Sequence, residues 1–171
     1  MADQVCLDRG IPTCLHTEGR SADQAFEASE RLFRRFNGTI SDENLSEIIS
    51  FDVGESTNRE KYSLSAADAL FNTRADKNEG AHYHGWAVFA FTVGQLEGRT
   101  WLCDDKPSEI YTFKIEHKPE RCMYPHSQIL AFVNGQPVTT GLRKALRRKV
   151  RSAIIASTQK QILRGLIVPS E

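Results

Sequence analysis

The spacing of apolar positions along the chain changes near residue 85. Upstream of it the apolar residues recur at helical intervals. Ser21 and Gln24 have the spacing of a capping box, and Phe26, Leu32, Phe33 and Phe36 follow until Asn37-Gly38 ends the run, which predicts a first helix. Ser41 with Leu45, Ile48 and Ile49 predicts a second, shorter helix over Ser41–Ile49. The Ser65-x-x-Asp68 signal predicts a third over Ser65–Phe71. Before all three, residues 1–20 lack sustained periodicity and contain Gly10, Pro12 and Gly19, as expected of an irregular, frayed arm.

From Gly85 the period shortens. Trp86–Val93 is a continuous aromatic and β-branched run between Gly85 and Gly94, the pattern of a strand buried on both faces. Thr100–Cys103 is a short strand candidate, and Ile110–Ile115 alternates with Tyr111, Phe113 and Ile115 on one face. Ile129, Ala131 and Val133 repeat that alternation before the turn signal Asn134-Gly135. Phe89 and Phe91 fit the core better than a base-stacking platform, because their flanks are apolar. A last helix-like stretch, Leu142–Arg164, carries the inward stripe Leu142, Ala145, Leu146, Val150, Ala153 and Ile154. The order helices, strands, helix indicates an α+β domain: a central antiparallel sheet with N-terminal helices and a long basic C-terminal helix. The arm of residues 1–20 would then precede a single domain over 21–171, a size one core can serve.

Composition adds one strong feature. The net charge is zero, yet residues 142–164 hold eight of the 22 Lys and Arg residues and no acid, leaving 14 basic against 21 acidic residues over positions 1–141. Repeated like charges at i+4 repel, so the helix needs a compensating anion. Arg143, Lys144, Arg147, Arg148 and Arg151 are therefore candidate contacts to RNA or DNA; an acidic protein surface, or the acidic body of the chain itself, would compensate them as well. An anionic membrane is disfavoured by the lack of Trp or Phe on the helix, and no apolar run reaches the length of a membrane span. The start of the chain lacks the build of a secretory signal, and Cys6, Cys14, Cys103 and Cys122 are too scattered for a disulfide framework. Both features predict a cytoplasmic protein with reduced thiols.

Three polar clusters carry candidate chemistry: Ser56–Ser63, His82–Trp86 and Tyr124–Ser127. Each is also the ordinary composition of a turn or cap. Together they supply histidines that exchange protons near neutrality, an arginine that clamps anions and a tyrosine that donates hydrogen bonds. A metal-independent nuclease needs a base, an acid and a cation, roles that His82 or His84, His126 and Arg59 would fill with Tyr62 beside them. The rival reading is a non-catalytic interaction or regulatory module whose basic helix docks on an acidic partner. A further alternative is group transfer from a nicotinamide dinucleotide, which the Arg, Tyr and hydroxyl set also suits.

No cofactor is required by any motif. Phosphate-loop, dinucleotide, nucleophile-elbow and calcium-loop signatures are absent from the sequence. His82 and His84 at i, i+2 with His126 or Cys122, or Cys6 with Cys14 and His16, are the only zinc alternatives, and neither has the usual ligand spacing. Asp104-Asp105 reads as a turn before Pro107, and Asp52, Glu55 and Glu60 as surface partners for Arg59.

Overall fold

The computed structural model describes residues 3–39, 41, 44, 51–71, 83, 85–157 and 162–166. It is an α+β structure built on an eight-stranded sheet whose pairings are all antiparallel. The strands are β1 (Arg31–Asn37), β2 (Ser56–Arg59), β3 (Trp86–Thr92), β4 (Trp101–Cys103), β5 (Lys106–His117), β6 (His126–Val133), β7 (Gln136–Pro137) and β8 (Ile162–Leu163). Their spatial order is β4-β5-β6-β2-β1-β3-β8, with β7 paired to β6. Three α-helices are described: α1 (Gln4–Leu7), α2 (Val93–Leu96) and α3 (Lys144–Ser157).

The strand-rich middle follows its sequence pattern. Phe89 and Phe91 lie in the core, 2% and 0% exposed, with Phe51 packed edge-on against both. Tyr111, Phe113 and Ile115 of β5 are buried on one face, as alternation requires. Asn134 (φ 49°) and Gly135 (φ 78°) form the two-residue turn between Val133 and Gln136, the pair of positive φ angles that an Asn-Gly hairpin supplies. Ser65 and Asp68 make a complete capping box, opening a 3₁₀ helix over Ala66–Leu70.

The first helix expected from the sequence is instead an irregular segment followed by β1. Leu32, Phe33 and Phe36 are all buried because β1 lies between β2 and β3 and is covered on both faces, so it loses the clean alternation of a one-sided strand. Leu32 and Phe36 join the main core, while Phe33 packs with Ala69, Leu70, Val88 and Ala90 on the opposite face. The helix expected over Ser41–Ile49 falls almost wholly outside the described residues. Residues 3–20 are packed, contrary to a frayed arm: Cys6, Ile11, Leu15 and His16 are buried, and Cys6 forms a disulfide with Cys122. That bond corrects the expectation of four reduced thiols; Cys14 and Cys103 remain free.

The C-terminal helix spans Lys144–Ser157, shorter than the predicted stretch, and Ile162–Leu163 then pairs with β3. Leu142, Leu146, Val150 and Ile154 are buried against the sheet, whereas Ala145 is exposed. Asp52 anchors the helix start, accepting from the Leu142 amide at 2.7 Å and from Arg147 Nη1 at 2.9 Å, an anion where the helix dipole is positive. No described helix is long and apolar enough to cross a membrane.

Candidate functional site

Arg59 ends β2 with its side chain on the same face as Thr57, and it is completely buried. Its Nε donates to Glu30 Oε1 at 2.6 Å and its Nη2 to Glu30 Oε2 at 2.7 Å, a bidentate pair. The remaining nitrogen bonds go to the Asp23 and Ala25 carbonyls at 2.5 and 2.6 Å. Those carbonyls would have accepted from residues 27 and 29 in a helix, so Arg59 holds residues 23–30 as an extended strap. Gly94 assists, donating its amide to Ala28 O at 2.8 Å; a Cβ there would meet Ala28 O at 3.0 Å. Asp52, Glu55 and Glu60, the expected partners of Arg59, pair with Arg147, Arg34 and Arg31 instead. The guanidinium is thus engaged within the protein rather than turned toward an external anion.

Tyr62 lies beside this strap, its hydroxyl donating to the Asp23 carboxylate. It stacks on His117 with ring centroids 5.4 Å apart, and Tyr124 packs edge-on against both rings. His117 lies outside the three polar clusters and continues the buried face of Tyr111, Phe113 and Ile115, the alternation by which it could be found. Its Nδ1 accepts from the Asp23 amide at 2.8 Å and its Nε2 donates to the Tyr124 carbonyl at 2.6 Å, which fixes a neutral ring. Desolvation, chiefly, and the nearby Arg59 charge hold its pKa below the ordinary histidine value.

His126 lies on the other face. It is the register partner of Asn58, and its ring reaches Ser56, so alternation along β2 sets Ser56, Asn58 and His126 opposite Thr57 and Arg59. The structure therefore brings Arg59 and Tyr62 together but separates them from His126; His82 and His84 lie outside the described residues. His126 is 4% exposed, and its Nδ1 is 2.6 Å from the Lys118 carbonyl. A carbonyl only accepts, so the proton is on Nδ1. In the neutral ring Nε2 then accepts from the Ser56 hydroxyl at 3.1 Å, with Glu120 Oε1 at 3.5 Å. Ser56 is half-buried, opposite Gln128, whose amide oxygen accepts from the exposed Lys118 ammonium at 3.2 Å. A base oriented by a second group and aimed at a hydroxyl is the arrangement that activates a nucleophile.

The proposed nucleic-acid residues divide into two sets. Arg143 pairs with Glu109 at 3.2 Å, Arg147 with Asp52 at 2.9 Å, and neighbouring Lys149 with Asp104 at 2.6 Å. Lys144 and Arg148 are exposed, and no ion pair to either forms among the described residues. Arg151 lies on the same helix, half-buried. Asp104-Asp105 forms the β4–β5 turn, as the sequence suggests, and its carboxylates face this helix.

The disulfide removes Cys6 and Cys122 from both zinc alternatives, since neither sulfur is a thiolate. Among the described residues no three His, Cys, Asp or Glu groups are placed to hold a metal. Comparison with known protein families, curated proteins and solved structures found no match.

Proposed function

We propose that the protein binds nucleic acid and acts on it as a metal-independent, general-base enzyme. The observation that supports this is His126, whose Nδ1 proton is tied to the Lys118 carbonyl while its Nε2 faces a hydroxyl at 3.1 Å. On RNA, Nε2 would take the proton of the 2′-hydroxyl; O2′ then bonds to phosphorus as the P–O5′ bond breaks, and the departing O5′ takes a proton from water. The substrate hydroxyl would displace the Ser56 hydroxyl from Nε2, and the Lys118 ammonium, held by Gln128, is the nearby positive charge for the phosphate. Lys144 and Arg148 are the helix cations left to meet phosphates, on the opposite face of the sheet from His126, so they would hold a different stretch of the nucleic acid from the one cleaved. The test is cleavage of labelled single-stranded RNA in chelator by the wild type and by His126→Ala. General-base assistance contributes on the order of 10²–10⁴ in rate, so the variant should lose about that factor while retaining affinity. No cleavage by the wild type, or equal rates for both proteins, would reject the proposal.

A second reading has its own support. Three helix cations are neutralised by Asp52, Asp104 and Glu109, which favours an interaction module whose remaining basic surface meets an acidic protein partner. The Cys6–Cys122 disulfide supports an oxidising compartment over the cytoplasmic setting suggested by the sequence, because the glutathione pool keeps cytosolic thiols reduced.

A further inference from the structure

The hydroxyl held by His126 is the reachable end of that pair. The imidazole is 4% exposed, with its Nδ1 proton on the Lys118 carbonyl, whereas Ser56, which donates to Nε2 at 3.1 Å, is half-buried. A buried base that accepts a serine proton makes that serine a nucleophile. Charge for acyl transfer stands on either side. The Lys118 ammonium, held by Gln128, the register partner of Ser56, is the cation for a tetrahedral oxyanion. The Glu120 carboxylate, 3.5 Å from Nε2, stabilises the imidazolium formed when the ring takes the proton.

A solvent-facing apolar strip begins beside the pair. Alternation along β6 puts Leu130 and Phe132 on the face of His126 and Gln128, about 7 and 13 Å beyond Gln128 at roughly 3.3 Å per residue. Both are half-buried, and neither belongs to any of the three buried hydrophobic clusters. Ile110 and Leu102, register partners on the same face, extend the strip at 46% and 47% exposed. Lys114 and Lys118 on this face are matched by Glu116 and Glu120, so it offers an uncharged chain a bed without net charge.

We propose that the protein also hydrolyses uncharged acyl esters through Ser56, with the acyl chain along Leu130 and Phe132. Ser56 Oγ bonds to the ester carbonyl carbon as its proton passes to His126 Nε2. The tetrahedral intermediate expels the alcohol, which takes that proton, and Ser56 is left acylated. Water, giving a proton to Nε2, then attacks the same carbon, and the carboxylic acid departs as Oγ recovers the proton. This activity shares the His126 tautomer with the nuclease reading but not its substrate.

The test is incubation of the folded, full-length protein with ethyl and octyl fluorophosphonates, in which Oγ bonds to phosphorus and fluoride leaves, followed by intact and peptide mass spectrometry. One label on Ser56 is expected, forming at least about tenfold faster from the octyl reagent because the added methylenes lie on the strip. Leu130→Asn should reduce that preference, and His126→Gln should slow labelling by about 10²-fold or more. The label is mapped on the wild type, so its position stands even where a variant fails to fold. The wild type should also release more than one equivalent of nitrophenolate from p-nitrophenyl octanoate, and labelling should stop that turnover. No label on Ser56, equal rates for the two reagents or no turnover of the ester would overturn the proposal. A labelled, ester-cleaving protein that leaves RNA intact rejects the nuclease alone, and RNA cleavage without a label rejects the esterase alone.

Discussion

At Arg59 a single side chain decides the path of eight others. Its guanidinium is fully buried and bonded to one carboxylate and two carbonyls of the strap, so removing it leaves Glu30, 8% exposed, without its counter-charge. Arg59→Ala should therefore cost about 3–5 kcal/mol, measured by denaturant unfolding, whereas a surface arginine would cost less than 1 kcal/mol. His117 sets a pH dependence of the opposite origin. Its pKa is lowered on folding, mainly by desolvation, with the Arg59 charge adding to this and hydrogen bonding by Tyr124 and Asp23 opposing it. The unfolded chain binds its proton more readily, so stability from this residue is present above pH ~6.5 and lost as pH falls from there toward the lowered folded value. The melting temperature should drop across that window in the wild type and less in His117→Gln. Glu109, held near 2 chiefly by the Tyr111 hydroxyl, loses its contribution only in stronger acid, which separates the two effects.

At the level of elements, the strap and the disulfide turn irregular segments into fixed ones. The Cys6–Cys122 bond spans 116 residues, and Arg121 reinforces it by pairing with Asp3 at 2.6 Å. Replacing both cysteines by serine should lower stability by about 2–5 kcal/mol, checked by unfolding with and without reductant; an unchanged midpoint would show that the bond carries no constraint. The strands β3, β5 and β6 and the capped turn at Ser65 were legible because local pattern and tertiary environment agree there. The strap was not, because the groups that overrule its helical spacing, Arg59 and Gly94, are remote in sequence. Gln24 shows the substitution of roles: the residue expected to close a capping box instead brackets His117 through its side-chain amide. His117 itself was readable, as the next inward position after Ile115, while the Ser56–His126 contact depends on a strand pairing that no local signal contains.

Across the whole molecule, the charge asymmetry of the sequence is largely resolved within the fold. The acidic body lends Asp52, Asp104 and Glu109 to the basic helix, which leaves Lys144 and Arg148 as its candidate phosphate contacts. RNA affinity should then fall with salt at a logarithmic slope of about −1.4, for two contacts at about −0.7 each, rather than about −3.5 for five. A double charge reversal, Lys144→Glu with Arg148→Glu, should abolish that binding in a filter or anisotropy assay without altering the melting temperature by more than a few degrees. Opposite Arg59, general-base catalysis requires the His126 imidazole to carry its proton on Nδ1. The most direct test is a long-range ¹H–¹⁵N spectrum of the histidine rings at pH above 7, with His126 assigned through His126→Ala. A neutral ring protonated at Nδ1 is the predicted result, with Nε2 left as the base toward Ser56; a ring protonated at Nε2 would overturn that role, since its lone pair would then sit on Nδ1, against the Lys118 carbonyl and away from any substrate.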